Sequence, residues 1–168
     1  MTQRIIDKII FEEFEVDVVT MTGDDKSIDN SCIFCQIVAG DAEAHRVYED
    51  DLSLAILDIN PLAKGHCLVI PKRHVPWWHD LTVEETESLF YVARIVANRI
   101  MKAFKPDFVC MYARGRRIPH THIFLVPTYK GDPLDRFFNA LEGSQESPKI
   151  LAGMAEQSSM EETAEKLR

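Results

Sequence analysis

Long hydrophobic runs are missing from this chain. Its apolar stretches extend only a few residues, far short of the roughly 20 that a membrane-spanning helix needs. The first residues also lack the ordered charged, apolar and small-residue regions of an export signal, so the expected compartment is the cytoplasm. An excess of positive charge is absent as well. Against 27 Asp and Glu stand 19 Lys and Arg, for a net charge of −8 over 168 residues. That balance opposes the counterion release by which long nucleic acids are held, and it opposes docking on anionic lipid. Polymeric DNA or RNA and membranes are therefore not expected partners. Cysteine is scarce, with four in the chain, and without an export signal closely spaced cysteines more often bind metal or do redox work than form disulfides. Cys67 and Cys110 sit singly in apolar runs and read as small buried hydrophobes. No internal repeat or low-complexity block appears.

What is present suits one globular domain with a real core. Residues 4–14 form an amphipathic stretch, followed by an apolar run at 16–21 and the turn-like Gly23, Asp24 and Asp25. Residues 56–59 and 67–70 are rich in branched apolar side chains and are separated by the breakers Asn60, Pro61 and Gly65. With Val47 and Tyr48 before them, they predict an antiparallel meander. Thr82 and Glu85 match a capping box, and Leu89, Ala93, Val96, Ile100 and Phe104 follow at helical spacing. The spacing predicts a long helix that stops at Lys105, before Pro106. Residues 108–111 and 118–126 return to strand character around the basic loop Arg114, Gly115, Arg116, Arg117, where Gly115 suits a tight turn. Beyond Pro127, Asp132 with Pro133 predicts a helix ended by Gly143, Ser147 with Pro148 another, and Ser159 with Glu162 a second capping box. The sum is an α+β domain, one antiparallel sheet covered by a long helix.

Cys32 and Cys35 form a C-x-x-C knuckle, which can place two thiolates on one metal. A redox pair is the rival, but that chemistry wants the knuckle opening a helix after a strand, and the residues before Cys32 read as a polar loop. His120 and His122 alternate on a predicted strand, so their imidazoles leave the same face. An isolated pair of this kind would more often be two satisfied core histidines. His74 follows a predicted strand, where a lone histidine is usually a surface residue. Counted together, Cys32, Cys35, His74 and His120 supply two thiolates and two imidazoles, a closed tetrahedral zinc shell with no open position for substrate.

The run CIFCQIVAG at 32–40, then VYEDD at 47–51, LDINP at 57–61, KGHCLVIPKRH at 64–74 and PHTHIFLVP at 119–127 together resemble the histidine triad (HIT) superfamily in order and spacing. The resemblance covers residues 31–129, leaving 1–30 as an N-terminal extension and 130–168 as a C-terminal helical tail. It implies a five-stranded antiparallel sheet with a covering helix, a structural zinc on Cys32, Cys35, His74 and His120, and a homodimer. It further implies a nucleotide hydrolase or nucleotidyl transferase in which His122, the middle histidine of His-x-His-x-His, attacks phosphorus. Imidazole suits that role because its unprotonated nitrogen attacks near neutral pH and later leaves. By the same resemblance Asp58 accepts hydrogen bonds from ribose hydroxyls, Ile33, Phe34, Ile37 and Ile59 wall a base pocket, and His66 supports the triad. For those apolar residues, plain core packing is the alternative.

Two departures stand out. Phe124 occupies the third triad position and cannot donate a hydrogen bond to phosphate or leaving group. The family's polar phosphate loop is replaced by Arg114, Arg116 and Arg117, whose guanidinium forks match phosphate oxygens, although a solvated basic turn is the plainer reading. The expected substrate is a nucleoside phosphoramidate, dinucleoside polyphosphate or similar conjugate. A binding module with little turnover is the alternative that Phe124 favours.

Overall fold

The computed structural model describes residues 31–113, 117–145 and 157–168. They form α1 (Ile33–Ala39), β1 (Arg46–Glu49), β2 (Ser53–Leu57), β3 (Cys67–Pro71), a 3-10 turn (Trp78–Asp80), α2 (Val83–Phe104), β4 (Phe108–Ala113), β5 (Ile123–Thr128), α3 (Pro133–Gln145) and α4 (Gln157–Lys166). The strands make one five-stranded sheet in the order β1-β2-β3-β5-β4, with all neighbours antiparallel. The α+β class and the covering helix are as expected. The expectations for residues 4–14, 16–21 and 23–25, for Arg114, Gly115 and Arg116, and for a helix opening at Ser147 and Pro148 lie outside the described residues.

Side-chain alternation along the central strands feeds two cores, because successive residues leave opposite faces of a sheet. Ala55, Cys67, Val69, Ile123 and Leu125 point to one face and meet Leu89, Val92, Ala93, Val96 and Ile100 of α2. Leu54, Ile56, Leu68 and Ile70 point to the other and meet Cys32, Phe34, Cys35 and Ile37 of α1. Burial on both faces explains why β2 and β3 read as nearly unbroken apolar runs. Cys67 belongs to the first core, where burial pushes its thiol up to about 11, so it behaves as an inert hydrophobe. Cys110, by contrast, is only half-buried.

The long helix begins as its local chemistry demands. The Thr82 side chain accepts from the Glu85 N–H at 3.2 Å and the Glu85 carboxylate accepts from the Thr82 N–H at 2.9 Å, a reciprocal cap. Arg73, at the exit of β3, adds a two-pronged bond to the same carboxylate at 2.6 and 2.7 Å. The far end is closed by Lys105 at φ 51°, ahead of Pro106. Gly65 sits at φ +94°, and a Cβ there would run into the Phe104 ring, so this turn is closed to larger residues.

Several boundaries differ from expectation. β2 runs Ser53–Leu57 instead of 56–59, because the Asp58 side chain takes the Asn60 N–H at 2.7 Å and turns the chain out of the ladder. β5 starts at Ile123, so His120 and His122 precede it. Thr121 donates its N–H to the Val75 carbonyl at 2.6 Å, drawing that segment toward the loop after β3. Gly143 lies inside α3, where its φ is not positive and nothing makes a cap of it. Ser159 lies inside α4 and is not its cap. Among the described residues no helix is long and apolar enough to cross a membrane.

Candidate active site and metal centre

Cys32 caps α1 and Cys35 sits on its first turn, so the knuckle does open a helix, yet two histidines approach it. His74 arrives from the loop after β3 and His120 from the segment before β5, strands that are neighbours in the sheet. The four ligand atoms lie within 4.8 Å of one another. Cys32 Sγ is 3.5 Å from His120 Nδ1, and Cys35 Sγ is 3.2 Å from His74 Nδ1 and 3.7 Å from His120 Nδ1. Zinc bonds of about 2.3 Å to sulfur and 2.0 Å to nitrogen at tetrahedral angles imply sulfur–nitrogen separations of about 3.5 Å. The residues fit that metal. His120 Nε2 donates to the Pro71 carbonyl at 2.9 Å, which leaves the Nδ1 lone pair for a metal. Burial pushes the His120 imidazole down to about 4, partly offset by Pro71, with His74 and His122 adding to the fall.

Two residues on, His122 Nδ1 donates to the His120 carbonyl at 2.7 Å, so its Nε2 carries the lone pair. The Phe34 ring packs edge-on against both imidazoles, 5.6 Å from His120 and 5.3 Å from His122 between centroids. One side chain therefore holds the metal quartet and the candidate nucleophile in register. His122 opens on a cleft of about 500 Å³ whose walls include Ile33, Phe34, Ile37, Asp58, Ile59, His66, Arg117 and Phe124. Ile37 is buried and serves core and wall together, whereas Ile59 is 88% exposed and stands at the rim, not in the core.

A family model for the HIT domain matches residues 39–131. The chain belongs to the HIT domain family. It is 38% identical over 113 residues to "Adenylylsulfatase HINT3" of Arabidopsis thaliana, a match covering 64% of this chain and 57% of that protein. It thus spans little more than half of that relative's length. With "Adenosine 5'-monophosphoramidase hnt1" of Schizosaccharomyces pombe it shares 37% over 102 residues, covering 58% of this chain and 74% of the relative. A zinc-bound histidine triad family protein from Mycobacterium smegmatis superposes with a TM-score of 0.57 at 30% identity, covering 68% of this chain and 97% of the other.

Within the HIT domain, the polar groups of the cleft are specifically arranged. Asp58 Oδ1 is taken by the Asn60 N–H. His66 Nδ1 accepts from the Leu62 N–H at 3.2 Å, and Asp58 Oδ2 at 3.6 Å is too far to bond it. His66 is 2% exposed and its Nε2 has no partner among the described residues; with Nδ1 accepting, Nε2 is the protonated nitrogen. Burial lowers its pKa, and the Asp58 carboxylate pulls the other way. Arg117 is exposed and lines the cleft, while Arg114 and Arg116 lie outside the described residues. Sequence reasoning missed Tyr112, which faces Phe124 in the ladder and stacks on it at 4.6 Å and 10°. Only the β4–β5 register could have revealed it.

Proposed function

We propose that this HIT domain hydrolyses, or transfers from, a nucleotidyl conjugate, with His122 as nucleophile. Its Nε2 attacks the α-phosphorus, the leaving group departs, and water then releases a nucleoside monophosphate. The observation that carries this reading is the His122 tautomer: with Nδ1–H committed to the His120 carbonyl, Nε2 is the attacking atom in a cleft of nucleotide size. His122 and His66 are assigned to catalysis, His66 by donating from Nε2 to a phosphoryl oxygen. Asp58 is assigned to the ribose, Ile33, Phe34, Ile37 and Ile59 to the base, and Arg117, with Arg114 and Arg116, to phosphate charge.

Cys32, Cys35, His74 and His120 are assigned to one structural zinc. Bound there, zinc would supply no chemistry at phosphorus, because these four ligands make a closed shell, and it would tie α1 to the segment that carries His122. Paired thiolates suit a reducing compartment, in keeping with a cytoplasmic protein. A second copy of the chain is assigned to the outer edge of β4, where Phe108 and Met111 are 46% and 51% exposed on a strand with one open side. The alternative, a nucleotide-binding module with little turnover, draws on Phe124.

The experiment is a single-turnover reaction of the full chain with adenylyl conjugates, quenched and read by intact mass and peptide mapping. An adenylyl adduct on His122, absent from a folded His122→Ala variant that keeps its metal, is expected. If parent and variant show the same negligible turnover and no adduct forms, the binding-module reading replaces the enzyme.

A further inference from the structure

The metal quartet and the cleft share one short helix. α1 and its cap send Cys32 and Cys35 to the quartet, and the same turns send Ile33, Phe34 and Ile37 to the cleft wall. The two sites also share one strip of chain. His120 belongs to the quartet and His122 to the cleft, and His122 Nδ1 donates to the His120 carbonyl between them. Phe34 touches both imidazoles, with ring centroids 5.6 Å from His120 and 5.3 Å from His122.

A single hydrogen bond fixes where an imidazole points but leaves its tilt about that bond open. His120 has such a bond from Nε2 to the Pro71 carbonyl, and His122 has one from Nδ1 to the His120 carbonyl. Ring packing sets the tilt. The Phe34 ring stands at 84° to His120 and 61° to His122, and at 4% exposure it sits in a close-packed interior where it cannot turn independently of them. A metal on His120 Nδ1 would fix that imidazole, and the phenyl ring resting on it would carry the constraint to His122. On its other side His122 meets the Phe124 ring at 4.9 Å and 67°. Phenylalanine offers no hydrogen bond to hold the imidazole there, so the packing of Phe34 matters the more.

Resting on the reading of the quartet as a zinc site and of the cleft as a nucleotide site, we propose that Phe34 is a positioning residue that couples the two. Metal on the quartet sets the tilt of His122 and tightens nucleotide binding, and nucleotide in the cleft tightens the hold on the metal. The second effect follows from the first, because a coupling free energy between two binding sites is reciprocal. Metal lost from the thiolates therefore weakens the cleft with no chemical change at His122. A packing role alone gives a different result. Truncating Phe34 would then cost stability and wall contact equally with and without metal, and each site would still respond to the other as before.

Cobalt(II) in place of zinc provides a visible absorption that reports the angles between metal ligands. The cobalt-loaded full chain, titrated with AMP, should shift its visible bands in step with binding followed by calorimetry. Phe34→Leu should keep its cobalt and bind AMP more weakly, yet show no band shift at saturation. Phe34→Met, closer in volume to the parent side chain, is run beside it and should behave the same way. Ile37→Val trims the same wall one turn along α1 and should keep the full shift once saturated. In competition against a chelator, AMP should raise the zinc affinity of the parent by about tenfold and that of Phe34→Leu by less than about twofold. A saturated Phe34→Leu or Phe34→Met with the parent's shift overturns the proposal. A parent that binds AMP with unchanged cobalt bands and unchanged zinc affinity overturns it as well, whatever the stability of the variants. In those cases AMP binding persists and the nucleotide reading stands. A parent that binds no AMP removes that reading and this proposal with it.

Discussion

Glu85→Gln tests how the scaffold holds the site. The Glu85 carboxylate serves two masters: it accepts the Thr82 N–H that closes the α2 cap, and it takes both prongs of Arg73, the residue before His74. A capping interaction is worth about 1 kcal/mol. The ion pair adds less than its short bonds suggest, because Arg73 is 42% exposed and solvent screens the pair, so about 0.5 kcal/mol is a fair share. Gln keeps one acceptor for the cap but loses the charge, and a total loss of about 1 kcal/mol follows, near 4 °C in Tm. The pH dependence carries the sharper signature. The Arg73 hydrogen bond, aided by the Thr82 N–H and the Arg73 charge and opposed by burial, holds the Glu85 pKa below its ordinary value. A depressed folded pKa means that the stabilisation is complete above the unfolded value, about pH 4.3, and is lost as pH falls through the folded one. Parent and variant should therefore differ by a constant amount above about pH 5 and converge as pH falls through the depressed folded value. Both forms share any acid-induced metal loss, which cancels in the difference. Paired urea titrations across pH 3 to 8 measure it. A gap that is absent at pH 7, or that widens toward acid, refutes the argument.

Metal analysis of protein purified without added zinc should find about one zinc per chain, and a strong chelator should unfold the α1 side of the molecule, because a thiolate–imidazole shell contributes on the order of 10 kcal/mol of apparent binding energy. A reversible Cys32–Cys35 disulfide with His74 and His120 metal-free would sink that assignment. Asp58→Ala should weaken AMP binding by about 1 to 3 kcal/mol in calorimetry, and equal affinity would remove Asp58 from the ribose site. Sedimentation at micromolar concentration should give a dimer that Met111→Lys disperses. A parent that sediments as a monomer would leave the β4 edge without its proposed partner.

The parts of the fold that were legible beforehand are those written in local chemistry. The capping box of Thr82 and Glu85 and the spacing of Leu89, Ala93, Val96 and Ile100 concern neighbours within one or two turns, and α2 begins and ends where they require. The start of β5 was not legible. Residues 118–122 have strand composition, but their bonds go to Pro71 and Val75, more than 40 positions earlier, and composition does not report such partners. Gly143 misled for a related reason. Glycine marks a helix end only where the chain needs a left-handed residue, and here α3 continues through it.

The candidate site divides along the same line. Two thiols and two imidazoles could be counted from the chain, but 38 residues separate Cys35 from the next member, His74, and 45 separate His74 from His120. Their meeting follows from the sheet order, which sets β5 beside β3 and so brings the segments flanking both strands to the mouth of α1. Residue order alone does not dictate that arrangement; the resemblance to a known family supplied it. Phe124 was legible as a departure because it breaks a written motif. Its partner was not, since Tyr112 reaches it only through the pairing of β4 with β5. That distinction bears on the site: a phenylalanine alone removes a donor, whereas the stacked pair also fixes the ring beside His122. The surroundings of the third triad position thus depend on a contact that only the folded chain reveals.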